Sequence, residues 1–124
     1  MTKVLLLCVG GAFGTVSRYL LSTLVYRSAG SEFPYGTMLV NLLGCFIVGV
    51  LATLSESKYL LTPNLKLLLI IGFCGAFTTF SAFILETANL MKDGETTRAF
   101  LNVFLSLIVG FLVLRLGVFI GENL

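Results

Sequence analysis

Apolar residues fill four long stretches of the 124-residue chain, at about residues 4–26, 36–54, 65–91 and 99–120. Three short polar segments separate them, and each contains turn-forming residues such as glycine, proline or aspartate. Because a run of about 20 apolar residues spans the hydrocarbon core of a bilayer as a helix, the pattern predicts four transmembrane helices. We therefore expect a single all-α membrane domain over residues 1–124, with both termini on the same side of the bilayer.

The composition agrees with this class and excludes others. The chain is 57% hydrophobic and only 11% charged, whereas an average globular domain is about 25% charged. It contains no histidine, which excludes histidine-based catalysis and histidine-ligated metals. The net charge of +2 gives no indication of nucleic-acid binding. The three cysteines lie in different apolar stretches and fit helix packing rather than a disulfide framework. The composition as a whole leaves no soluble-enzyme interpretation.

The third stretch has an unusual centre for a lipid-embedded helix. Residues 72–83 combine glycines with the adjacent Thr78 and Thr79 and with several phenylalanines. Irregular or polar backbone is tolerated at membrane depth only where protein buries it or water lines it. The stretch has about 27 residues, or about 40 Å of helix, against a core of about 30 Å, so it has length to spare. We predict a central break in the third helix near Gly72, Gly75 and the threonine pair, beside a transport pathway.

Polar side chains also interrupt the other stretches. Arg18 follows a Gly10–Gly14 spacing that favours close helix contact, and it either reaches the interface or faces a wet vestibule or a buried acceptor. Asn41 shares a face with Thr37 and serves either as a clasp between helices or as a pore-lining donor. The pattern leaves these alternatives open.

Basic residues are evenly divided between the two sides of the predicted bundle. One side carries Lys3, Lys58 and Lys66, and the other carries Arg27, Lys92 and Arg98. Orientation normally follows an excess of lysine and arginine in the cytoplasmic loops, and here there is none. We therefore expect dual topology, with two oppositely oriented copies forming an antiparallel homodimer, since four short helices are too few to enclose a pathway.

Three motifs carry a family resemblance that covers nearly the whole chain. They read Gly10-Gly11-x-x-Gly14-x-x-x-Arg18, Gly36-Thr37-x-x-Val40-Asn41-x-x-Gly44, and Gly72-x-x-Gly75-x-x-Thr78-Thr79-Phe80-Ser81-x-Phe83. In this order and at this length they resemble the Fluc (CrcB-type) fluoride channels of bacteria.

The resemblance implies a passive, fluoride-selective channel of the bacterial inner (plasma) membrane that exports toxic fluoride from the cytoplasm. It implies an antiparallel homodimer with two pathways, and a structural sodium ion at the dimer centre held by the backbone carbonyls of Gly75 and Thr78. The implied partners are fluoride and the lipid bilayer, with no nucleic acid. The pathway residues implied by motif position, or adjoining those positions, are Arg18, Asn41, Thr79, Phe80, Ser81, Phe83 and Ser106.

The chain departs from the family pattern in places. Ala82 and Ile84 stand where the motif usually has threonine and serine, Ala76 replaces a second glycine, and Asn102 occupies an often aromatic position of the fourth helix. These departures put the polar track beside the phenylalanines in question.

Two other functions are compatible with four short spans. A small dual-topology, proton-coupled exporter of cationic drugs needs a carboxylate in its first span, where this chain has only Arg18. A non-transporting assembly subunit would use the glycine faces for packing alone and would leave Asn41 and the threonine pair unexplained.

Overall fold

The computed structural model describes residues 1–124 and contains four long helical spans. They are the first helix (Thr2–Ala29), the second helix (Tyr35–Glu56), the third span (Pro63–Lys92) and the last helix (Thr96–Glu122). Each is long and apolar enough to cross a membrane, which confirms the all-helical, four-span prediction. The chain is therefore a multi-pass membrane protein. The helices extend a few residues beyond the apolar stretches, because polar flanking residues continue them toward the aqueous phase.

Glycine, threonine and proline define the turns between the spans. Gly30, with a φ of 83°, ends the first helix while its N–H donates to the Tyr26 carbonyl at 3.0 Å. Gly94, with a φ of 77°, makes the tight turn between the third span and the last helix. The third span starts at Pro63, and the Thr62 hydroxyl accepts a hydrogen bond from the Leu65 N–H at 3.2 Å.

The bundle consists of two closely packed helix pairs. The first helix lies along the N-terminal half of the third span, and the second helix lies along the last helix. A Cβ at Gly10 would collide with the Leu68 carbonyl oxygen, and one at Gly117 would collide with the Phe46 carbonyl oxygen. Small residues thus let the backbones touch, as in other membrane helix pairs, and the Gly10–Gly14 spacing marks one such contact.

The third span is irregular from Leu67 to Thr79, over most of its N-terminal half and up to its centre. Leu67–Cys74 forms a π-helix, and a short α-helical piece, Gly75–Phe77, follows it. Thr78 (φ −88°, ψ 156°) and Thr79 (φ −148°, ψ 117°) have extended backbone, and helix Phe80–Lys92 begins directly after them. π-helical turns are rare and are frequently found at functional sites, and this one ends three residues before the extended pair.

Large apolar side chains cover the outside of the bundle. The first and last helices expose the following residues: Val4, Leu5, Val9, Phe13, Val16, Leu20 and Leu24 on the first, and Phe100, Phe104, Leu107, Ile108, Phe111, Leu112 and Phe119 on the last. Such a surface is stable only against lipid or against another protein chain. The side chains of Val40, Cys74 and Asn102 are the largest that are almost completely buried.

Candidate functional site

The site is organised around the two extended residues of the third span. Thr79 caps helix Phe80–Lys92, since its hydroxyl oxygen accepts a hydrogen bond from the Ala82 N–H at 3.2 Å. The Thr78 hydroxyl donates to the Cys74 carbonyl at 2.9 Å and closes the helical piece that precedes it. The two threonines therefore stabilise the helix ends on either side of the extended backbone.

Asn41 of the second helix holds this extended backbone in place. Its Nδ2 donates to the Thr79 carbonyl oxygen at 3.1 Å, and its Oδ1 accepts from the Thr79 N–H at 2.8 Å. The side-chain amide therefore replaces the helical partners that Thr79 lacks. Of the two alternatives for Asn41, the structure shows the clasp. The clasp uses only one of the two Nδ2 hydrogens of Asn41, so the other is not required for it.

A cavity of about 340 Å³ opens beside the clasp, between the second helix, the third span and the last helix. It brings together residues that are far apart in the sequence, including most of the predicted pathway residues. Its lining consists of Asn41, Gly44, Cys45, Val48, Thr78, Thr79, Phe80, Phe83, Ser106, Leu107 and Leu114.

Two phenyl rings form one wall of this cavity. The centroids of Phe80 and Phe83 are 6.0 Å apart, and the ring planes are inclined by 49°. Phe83 is 8% exposed, whereas Phe80 is 75% exposed in the single chain. On the wall contributed by the last helix, the Ser106 hydroxyl oxygen is buried and has no hydrogen-bond partner within the chain. The cavity therefore combines aromatic surface with a serine whose hydroxyl has no hydrogen-bond partner within the chain.

The remaining predicted residues lie around the cavity rather than in its lining. The Arg18 Nε donates to the Ala76 carbonyl oxygen at 3.0 Å, so the guanidinium has a carbonyl acceptor beside the extended pair. Ser81 is exposed, with its hydroxyl 3.4 Å from that of Thr79. Gly75 is one turn before Thr79 in the third span.

The extended pair leaves several backbone carbonyls without their helical donors, among them those of Gly75 and Thr78. In a continuous α-helix, the carbonyls of Gly75 and Thr78 would accept from the amides of Thr79 and Ala82. Here the Thr79 amide donates to Asn41 and the Ala82 amide donates to the Thr79 hydroxyl. These two oxygen acceptors therefore lose their helical donors at the centre of the third span.

A second polar cluster was not among the predicted site residues. Glu86 Oε1 accepts from the Thr37 hydroxyl at 2.8 Å and from the Tyr26 hydroxyl at 3.4 Å, while Oε2 is buried without a partner. The sequence carries a signal for two of its members, since Thr37 shares a face with Asn41 and Glu86 is the only acidic residue of the 65–91 stretch. Nothing in the sequence pattern indicated Tyr26, because it lies 60 residues from Glu86.

This cluster borders a larger polar cavity of about 680 Å³ at the end of the bundle that carries the first and third connections. Tyr26 and Glu86 line it together with Glu32, Asp93, Glu95 and Arg98. The Arg98 guanidinium lies 3.8 Å from the Glu32 carboxylate and 3.7 Å from that of Glu95. The Tyr26–Thr37–Glu86 cluster therefore has a polar cavity on one side, and its member Thr37 is one turn before Asn41 in the second helix.

Comparison with known proteins identifies the family to which the chain belongs. The CrcB-like protein family (Camphor Resistance) matches residues 5–118. A fluoride-specific ion channel FluC of Dehalococcoides mccartyi is 44% identical over 124 residues, which is 100% of this chain and 95% of the relative. The FluC of Magnetococcus marinus is 46% identical over 114 residues (92% and 93%), and that of a Shewanella species is 44% identical over 117 residues (94% of each). The chain belongs to the CrcB family, as the three sequence motifs predicted.

Proposed function

We propose that this protein is a passive, fluoride-selective channel that exports toxic fluoride from the cytoplasm. The observation that carries the proposal is the cavity in which Asn41, Thr79, Phe80, Phe83 and Ser106 meet next to the extended backbone of the third span. The fluoride-channel names of the relatives favour the same ion.

The chemistry of the cavity suits a small, strongly hydrated anion. A pathway for fluoride must replace its water with hydrogen-bond donors, and the Ser106 hydroxyl and the second Nδ2 hydrogen of Asn41 supply two. Phenyl rings have a positive edge, so Phe80 and Phe83 support an anion when they present their edges and offer little to a cation. No carboxylate lines the cavity, which favours anion passage over cation binding.

We propose further that the working unit is an antiparallel, dual-topology homodimer with two pathways. Phe80, part of the cavity wall, is 75% exposed in the single chain, and a second copy packed against it would complete that wall. The even division of basic residues between the two faces supports insertion in both orientations.

The carbonyls of Gly75 and Thr78 would hold a structural sodium ion at the dimer centre. Both lose their helical amide donors, and carbonyl oxygens are suitable ligands for an alkali cation at an unwound helix. When bound, the ion would supply positive charge that links the two third spans. The residues present therefore fit this cofactor.

Purified protein in liposomes loaded with fluoride tests the function. We expect fluoride to leave only when a potassium ionophore balances the charge, and chloride to leave far more slowly. Protein-free liposomes serve as the control. Efflux that needs no charge balance, or that follows an imposed proton gradient, would contradict a passive channel and favour a coupled exporter.

A further inference from the structure

A directional chain of hydrogen bonds connects the last helix to the backbone of Phe83. Asn102 Nδ2 donates to the Thr87 hydroxyl oxygen at 2.8 Å, and the Thr87 hydroxyl donates to the Phe83 carbonyl oxygen at 2.7 Å. A hydroxyl has a single proton, and Thr87 gives it to the carbonyl, so its oxygen must accept from Asn102. The direction of both hydrogen bonds is thereby determined, from Asn102 to Thr87 and from Thr87 to the Phe83 carbonyl.

Asn102 does not face the cavity in which Phe83 lies. Its side chain is 1% exposed, and it is absent from the lining to which Ser106, one turn later, contributes. The buried amide can therefore affect the cavity only through the residues it contacts, and its side chain donates a hydrogen bond to Thr87. Asn102 therefore reaches the cavity only through Thr87 and the backbone of Phe83.

These two hydrogen bonds tether the backbone that carries the Phe83 ring. A threonine that bonds the carbonyl four residues earlier tends to bend its helix, and here Asn102 holds that threonine from the opposite helix. At membrane depth no water is available to replace a lost hydrogen-bond partner. Loss of either hydrogen bond therefore shifts the Thr87 side chain and the Phe83 backbone. The Phe83 ring is 8% exposed and borders the cavity 6.0 Å from the Phe80 ring, so a shift of its backbone moves the ring relative to the cavity.

We propose that Asn102 and Thr87 are positioning residues that set the location of the Phe83 ring in the cavity wall. The proposal rests on the proposed fluoride pathway. It adds a role for Asn102, which occupies the position of the last helix that is often aromatic in the family pattern. In this chain the amide is a tether for a pathway residue and does not contact the permeating ion.

Fluoride efflux from liposomes gives the first test. Thr87→Val keeps the branched shape and removes the hydroxyl, and Asn102→Leu keeps the branching and the number of non-hydrogen atoms and removes the amide. Each should lower fluoride flux about fivefold, equivalent to about 1 kcal/mol on the barrier, and the double variant should lose no more than either single one. Thr87→Ser retains the hydroxyl and should conduct like the wild type. Additive losses in the double variant, or equal losses for Thr87→Ser and Thr87→Val, would overturn the proposal.

A spectroscopic test does not depend on conduction. With 4-fluorophenylalanine in place of Phe83, the fluorine NMR line of the monodisperse protein in detergent reports the surroundings of the ring. Thr87→Val and Asn102→Leu should each shift or split this line, and Thr87→Ser should leave it in place. The two disruptive variants lie on different helices, so one that fails to fold leaves the other as the test. An unchanged line would contradict positioning. A wild type that does not release fluoride would contradict the proposed function, while the NMR comparison still decides the tether.

Discussion

Replacing Asn41 by leucine tests the contact on which the extended backbone of the third span depends. Leucine has the same branching and the same number of side-chain non-hydrogen atoms, but it can neither donate to the Thr79 carbonyl nor accept from the Thr79 N–H, bonds of 3.1 and 2.8 Å in the native protein. Interhelical hydrogen bonds in membranes are worth on average about 0.6 kcal/mol each, and a polar group left unpaired costs about 1–3 kcal/mol. Because both backbone groups of Thr79 lose their partner, we expect a destabilisation of roughly 2 kcal/mol.

We expect a lower melting temperature in detergent, measured by circular dichroism. We also expect fluoride flux to fall at least about tenfold. The flux falls because Thr79 and Asn41 both line the cavity that the clasp shapes. Asn123→Leu is the matched control, since the Asn123 amide donates only to the Phe119 carbonyl at the exposed C-terminal end. This control should melt and conduct like the wild type.

The reasoning about the clasp would be refuted by an Asn41→Leu protein that melts and conducts like the Asn123→Leu control. A protein that melts normally but does not conduct would assign Asn41 to the pathway alone and remove its role in stability.

Three further predictions concern the rings, the packing and the orientation. Phe80→Ile and Phe83→Ile should each leave a folded protein yet reduce fluoride flux at least about tenfold, because isoleucine lacks the ring quadrupole; wild-type flux in both would make the rings simple packing. Gly10→Ala should lower the melting temperature and Gly11→Ala should not, since a Cβ meets backbone at Gly10 and open space at Gly11; equal melting would contradict the close contact. Adding three lysines to residues 55–64 should drive reporter-tagged termini to the cytoplasm and reduce flux, and an unmodified chain found in one orientation only would exclude dual topology.

The candidate site was predictable to the extent that its residues stand out within their own spans. Thr78, Thr79 and Phe80 interrupt an apolar stretch, and Asn41 is conspicuous in an apolar helix, because polar groups in lipid are costly wherever they occur. The π-helical turns of Leu67–Cys74 carry no comparable mark, since their residues are apolar like those of any buried helix.

The sequence by itself determined the four helices, because the length and hydropathy of each span are local properties that the bilayer reads directly. It also determined the family, since the three motifs are defined by residue type and spacing. Only the tertiary structure decided that Asn41 clasps the Thr79 backbone, that Arg18 pairs with the Ala76 carbonyl, and that Phe83 is buried while Phe80 is exposed. The two hydrogen-bonded pairs join residues 38 and 58 positions apart, so they depend on how the helices rotate and pack against one another. That rotation is set by the glycine contacts between backbones, which involve all four spans at once.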